Sequence, residues 1–154
     1  MVDSSEDLNM EVTNDPEIKK VTDNKLTIDD FTVIKVVGKG SYGKVLLVKK
    51  NDDDKVLAMK VLKKKYMIKR NQVEHTKTER SILELVKHPF IISLKYAFQN
   101  QFKLYFVMDY CPGGELFFHI QKVERFNEEA TKFYASQMVL AIDHLHSLNV
   151  IYRE

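Results

Sequence analysis

The chain has 154 residues, 44% hydrophobic and 10% aromatic, enough for one folded unit with its own core. A single cysteine, Cys111, excludes an internal disulfide and points to a reducing, intracellular setting, the cytoplasm first and the nucleus second. The net charge of +2 is unevenly divided: residues 1–30 hold three Lys against nine Asp or Glu, net −6, leaving 21 basic and 13 acidic residues and +8 in 31–154.

Residues 1–30 carry too few large apolar side chains to offset the entropy of ordering, so a disordered acidic tail is expected there. No run approaches the roughly 20 apolar residues of a membrane span, and an acidic start is unlike a secretory signal. The basic surplus does not point to nucleic acid, because the lysines are scattered and Lys63-Lys64-Lys65 lacks interleaved aromatics. That run reads as a solvated helix face.

In chain order, "FTVIKVVGKG" (31–40), "KVLLVKK" (44–50) and "KVLAMKVL" (55–62) predict three antiparallel strands joined by a glycine-rich turn and the polar turn "NDDD". Ile82, Leu83 and Val86 at helical spacing predict a helix within 72–87, ended before Pro89, which disfavours helical geometry in the residue ahead of it. "ISLKYAF" (92–98) and "KLYFVMDY" (103–110) add two strands. Five strands and one helix make a small α+β unit. "PGGE" is a connector, "ELFFHIQK" a short helix, and Asn127 with Glu128 and Glu129 opens a long helix with an apolar stripe from Ala130 and Phe133 to Leu148.

Gly38-Lys39-Gly40-Ser41-Tyr42-Gly43 matches G-x-G-x-x-G. In a dinucleotide fold the third glycine opens a helix, whereas Gly43 leads into the strand-like Lys44-Val45-Leu46-Leu47-Val48. The motif is therefore a hairpin tip, suited either to bringing backbone N–H groups close to a polyphosphate or to turning the chain without a ligand. Strand alternation puts Ala58 and Lys60 on one face with Val45 near them, so the Lys60 ammonium projects below that tip. Glu79 shares the helical stripe of Ile82, Leu83 and Val86, and a carboxylate there needs a counter-charge. Lys60 and Glu79 supply each other.

With these residues the sequence resembles, from about Thr27 to Arg153, the amino-terminal lobe and the start of the carboxy-terminal lobe of a eukaryotic protein kinase. "TIDDF", "TERSIL", "KHPFI", "LYFVMDYCPGGELF" and "IYR" narrow the resemblance to the AGC serine/threonine group, which includes the protein kinase B, ribosomal S-six and serum-regulated kinases. It implies a five-stranded antiparallel lobe over 31–110, then a hinge and the first carboxy-lobe helices over 111–154, with ATP and Mg2+ as cofactors. It further implies a protein Ser/Thr substrate and an upstream kinase or docking partner.

The resemblance assigns roles by position. The Gly38–Gly43 loop and Lys44 cover the nucleotide, Val45 and Ala58 sandwich the adenine, and Met108 is the gatekeeper. Asp109 and Cys111 present backbone groups to the adenine edge, and Glu115 binds ribose. Lys60, paired with Glu79, holds the α- and β-phosphates. Leu83, Leu94 and Tyr152 match spine positions, and His75 matches a residue that contacts an activation-loop phosphate in relatives, or is an exposed helix histidine. His144 and His146, two apart on a helix, are rejected as a metal pair. Lys64 and Ile68 border a docking groove. After "IYR" the pattern calls for the catalytic Asp, where this chain has Glu154; the chain alone is expected to be inactive, with no protein ligands for the metal. The alternative is a non-catalytic nucleotide- or partner-binding module.

Overall fold

A computed structural model describes residues 26–40 and 43–152. Residues 1–25 of the expected tail, together with Ser41, Tyr42, Arg153 and Glu154, lie outside the described residues. The last part of that tail is structured. Leu26 and Ile28 pack against the core, and Ile28–Asp30 form a 3-10 turn closed by a capping box between Thr27 and Asp30.

Strands β1 (Phe31–Gly40), β2 (Gly43–Lys50), β3 (Val56–Lys63), β4 (Leu94–Gln99) and β5 (Lys103–Asp109) form one sheet in the order β1-β2-β3-β5-β4. Every neighbouring pair is antiparallel. Alternation divides the sheet into two faces. One face gathers Phe31, Leu46, Val48, Leu57, Met59, Val61, Tyr105 and Val107 into the larger core cluster. Aromatic contacts seal it, Phe98 stacking on Tyr105 at 4.7 Å and on Phe31 at 5.8 Å. The opposite face carries a smaller cluster of Leu62, Leu104 and Phe106, joined by Met67 from a helix.

That helix, α1 (Lys64–Lys69), was not signalled by periodicity. Only two of the three consecutive lysines belong to it, since Lys63 ends β3. The expectation of a fully solvated helix face fails at Lys64, which is half-buried and whose pKa is lowered by desolvation. Helix α2 (Val73–Leu85) ends before Pro89, with Val86 already extended at ψ 116°. Among its residues only Thr76 is fully buried; Ile82 and Leu83 are half-buried.

Beyond the sheet, α3 (Leu116–Val123) and α4 (Glu128–Ser147) follow a short connector. Asn127 caps α4, its side-chain oxygen accepting the Ala130 N–H at 2.8 Å. No residue of α4 is fully buried, and Phe133, Met138, Val139 and Leu140 are exposed, an apolar face without cover among the described residues. His144 stacks on His88 at 5.0 Å, linking α4 to the loop before β4. Among the described residues no three His, Cys, Asp or Glu gather as metal ligands, and no helix is long and apolar enough to cross a membrane.

Candidate nucleotide site

The site lies on the sheet face that carries the smaller cluster. Val45 is the cross-strand partner of Lys60, Lys60 that of Phe106, and Ala58 that of Met108. Three adjacent strands thus bring Val45, Ala58, Lys60 and Met108 together on one surface, as alternation predicts. Gly38, Lys39 and Gly40 end β1 and face Val45, Lys44 and Gly43 across the hairpin. Ser41 and Tyr42 at its tip lie outside the described residues.

The glycines differ in what they permit. A Cβ on Gly40 would meet nothing within 4 Å, and one on Gly38 would make ordinary contact with Val45 at 3.6 Å. The Cβ side of Gly40 is therefore open, as close approach of a phosphate requires, while that of Gly38 is filled by Val45. A Cβ on Gly43 would fall 1.8 Å from the Val61 carbonyl oxygen. Gly43 is therefore needed inside the protein, for β2 to lie against β3.

Lys60 Nζ donates to Glu79 Oε1 at 2.5 Å, joining β3 to α2. Their side chains are 33% and 40% exposed, so the pair is half open to solvent rather than buried as the helix stripe suggested. Partial exposure keeps its contribution to stability small. It also leaves the ammonium accessible from the cleft side while the carboxylate fixes its direction. A cleft of about 160 Å³ between β3, α1 and α2 is lined by Lys60, Glu79, Leu62, Met67, Gln72, His75 and Thr76. His75 Nδ1 lies 3.1 Å from Gln72 Oε1. Gln72 and Thr76 were missed from sequence; Thr76 Oγ1 bonds the Gln72 carbonyl, a local helix contact with no motif to announce it.

Met108 and Asp109 end β5; the Asp109 carboxylate pairs with Lys95 at 3.0 Å, and its backbone N–H donates to the Ser93 carbonyl at 3.3 Å. Cys111 is exposed in the connector. Asp109, Cys111 and Leu116 share a second cleft of about 440 Å³ with Ile92, Met138 and other residues of α4 and the loop before β4. Glu115 is the N-cap residue of α3 and makes no capping bond with its side chain. Leu94 pairs with Met108 across β4 and β5, and Leu83 is half-buried on α2. Tyr152, matched to the same spine, is 77% exposed instead. It follows α4 outside any helix or strand. Lys64 and Ile68 sit on α1, Ile68 56% exposed. Glu154 lies outside the described residues.

The comparisons with known proteins agree with this geometry. The protein kinase domain model matches residues 31–154. The chain is 50% identical over 130 residues to a RAC family serine/threonine-protein kinase homolog of Dictyostelium discoideum, covering 84% of this chain and 29% of that protein. It is 46% identical over 138 residues to the serine/threonine-protein kinase YPK1 of Saccharomyces cerevisiae, covering 90% of this chain and 20% of the yeast protein. It is 52% identical over 126 residues to the human serine/threonine-protein kinase Sgk2, covering 81% and 34%. The chain therefore spans about a third or less of the length of these relatives. With a glycine hairpin, a Lys–Glu pair and this strand order at such identity, the chain belongs to the protein kinase domain family, in the AGC group of serine/threonine kinases.

Proposed function

We propose that this chain forms the nucleotide-holding part of a serine/threonine protein kinase, which moves the γ-phosphoryl group of ATP to Ser or Thr hydroxyls of a protein. The observation that carries the reading is the 2.5 Å Lys60–Glu79 pair on the strand face that Val45 continues toward Gly38 of the glycine hairpin. Lys60 holds the α- and β-phosphates, with Glu79 fixing its direction; the N–H groups of the Gly38–Gly43 loop and Lys44 approach the same phosphates. Val45 and Ala58 cover the adenine, Met108 limits depth behind it, backbone groups of Asp109 and Cys111 meet its edge, and Glu115 meets the ribose. ATP supplies the phosphoryl group. Mg2+ accompanies ATP in such chemistry; among the described residues no three His, Cys, Asp or Glu gather to hold it.

A second reading is a nucleotide- or partner-binding module without phosphoryl transfer. It is favoured by Glu154 at the position where the family pattern has its proton-accepting Asp, because one extra methylene moves the carboxylate by about 1 Å and such a displacement costs roughly a hundredfold. Radiolabelled ATP with the purified 154-residue chain and a basic Ser-containing peptide separates the two. No phosphate transfer together with ATP-dependent thermal stabilisation supports the module for this chain, while transfer lost in Lys60→Ala makes it a kinase by itself. No ATP response at all removes the nucleotide-holding reading and leaves only a partner-binding module.

A further inference from the structure

The end of the lobe remote from the connector carries a surface that nucleotide binding does not use. Between Asp54 and Glu74 there are seven Lys or Arg and no acidic residue. Helix α1 lies in this stretch, with no acid in its first turn and no side-chain cap at Lys63. Lysines at a helix start oppose its dipole, and Lys65 and Lys69 form a like-charge i,i+4 pair. Local preferences are thus set against the helix, a pattern expected where another requirement acts on the surface.

Met67 is the residue of α1 that enters the core. At 100° per residue, Lys65 and Lys69 then point nearly opposite, flanked by Tyr66 and Ile68, which are 43% and 56% exposed. Lys63 Nζ lies 5.4 Å over the Tyr66 ring. The turn between β4 and β5 stands directly beside α1, its Phe102 carbonyl accepting the Lys64 N–H at 3.0 Å. Phe102 is 70% exposed, and the turn "NQFK" has no acid. Two adjoining tips from different elements therefore present apolar side chains set among cations.

We propose that this face, formed by Lys63, Lys65, Tyr66, Lys69 and Phe102, docks on an anionic lipid bilayer. The face is convex. Peptides are taken up in grooves or along free strand edges, and the nearest cleft lies on the inner side of α1, lined by Met67, Leu62 and Gln72. A membrane surface presents diffuse negative charge to the lysines and an apolar layer into which Phe102 inserts.

Cosedimentation of the 154-residue chain with vesicles of phosphatidylcholine, with or without about one third phosphatidylserine, tests this. Binding is expected to the anionic vesicles only and to fall with added salt. Lys65→Ala and Lys69→Ala each weaken it about fivefold, and Lys132→Ala on α4 leaves it unchanged. The chain has no Trp, so Phe102→Trp reports insertion directly as a blue-shifted emission on vesicle addition, whether or not the lysine variants alter folding. Equal binding to uncharged vesicles, an unshifted tryptophan emission from the Phe102→Trp variant, or an equal loss with Lys132→Ala overturns the proposal. Capture by polyglutamate but not by anionic vesicles assigns the face to an acidic protein segment and also overturns it.

Discussion

Lys60 and Glu79, 19 residues apart in sequence, meet at 2.5 Å and tie the middle of β3 to α2. Half exposed, the pair adds little to stability, below about 1 kcal/mol. Its use is directional, holding a cation below the hairpin where phosphates are proposed to lie. Lys60→Ala is therefore expected to leave the melting temperature within about 2–4 °C of wild type while ATP affinity falls at least about tenfold. Thermal-shift titration of both proteins with ATP checks this, and an unchanged ATP response in the variant would sink the assigned role.

The two hairpin glycines flanking Ser41-Tyr42 separate a structural need from a ligand need. Gly43→Ala drives a methyl into the Val61 carbonyl and is expected to cost about 3 kcal/mol or more. Gly40→Ala meets open space and should change stability by no more than about 0.5 kcal/mol while weakening ATP binding. Urea denaturation of the two variants reads the difference, and equal destabilisation would refute it.

Asn127→Ala removes the side-chain acceptor for the Ala130 N–H. A loss of about 1 kcal/mol is expected. Because α4 buries little, the effect should appear as fraying of this helix, read as faster amide exchange at Glu128–Thr131 with the β3 and β5 amides unaffected.

Lys50 donates a hydrogen bond to Asp52 at the β2–β3 turn, and that bond holds the Asp52 carboxyl below its usual value of 3.8. A carboxylate with a depressed folded-state pKa contributes stability that is present above the unfolded value and is lost as pH falls through the folded one. Asp52→Asn should therefore melt lower than wild type at neutral pH, and the two melting curves should converge below pH 3.8. A gap that persists unchanged into strong acid would mean that the carboxylate charge is not what matters.

Much of this was legible in the sequence because it rests on local rules. Alternation placed Val45, Ala58 and Lys60 on one strand face, Pro89 set the limit ahead of which α2 stops, Asn127 opened α4, and the spacing of Glu79 on its helix matched it to Lys60. These follow from backbone period, cap chemistry and the cost of an unpaired charge, all of which act within a few residues or within one pairing. What lay beyond was whatever depends on the far side of a contact. Helix α1, six residues with lysines at its start, has no period to read; Met67 in the smaller core cluster and the Lys64–Phe102 backbone bond hold it. The same holds for Gly43, whose need comes from Val61 on another strand, and for the half-open state of the Lys60–Glu79 pair. A sequence states which face of an element is apolar or charged, while the depth of burial and the identity of the neighbour are set by how separate elements pack, and here that packing alone decided them.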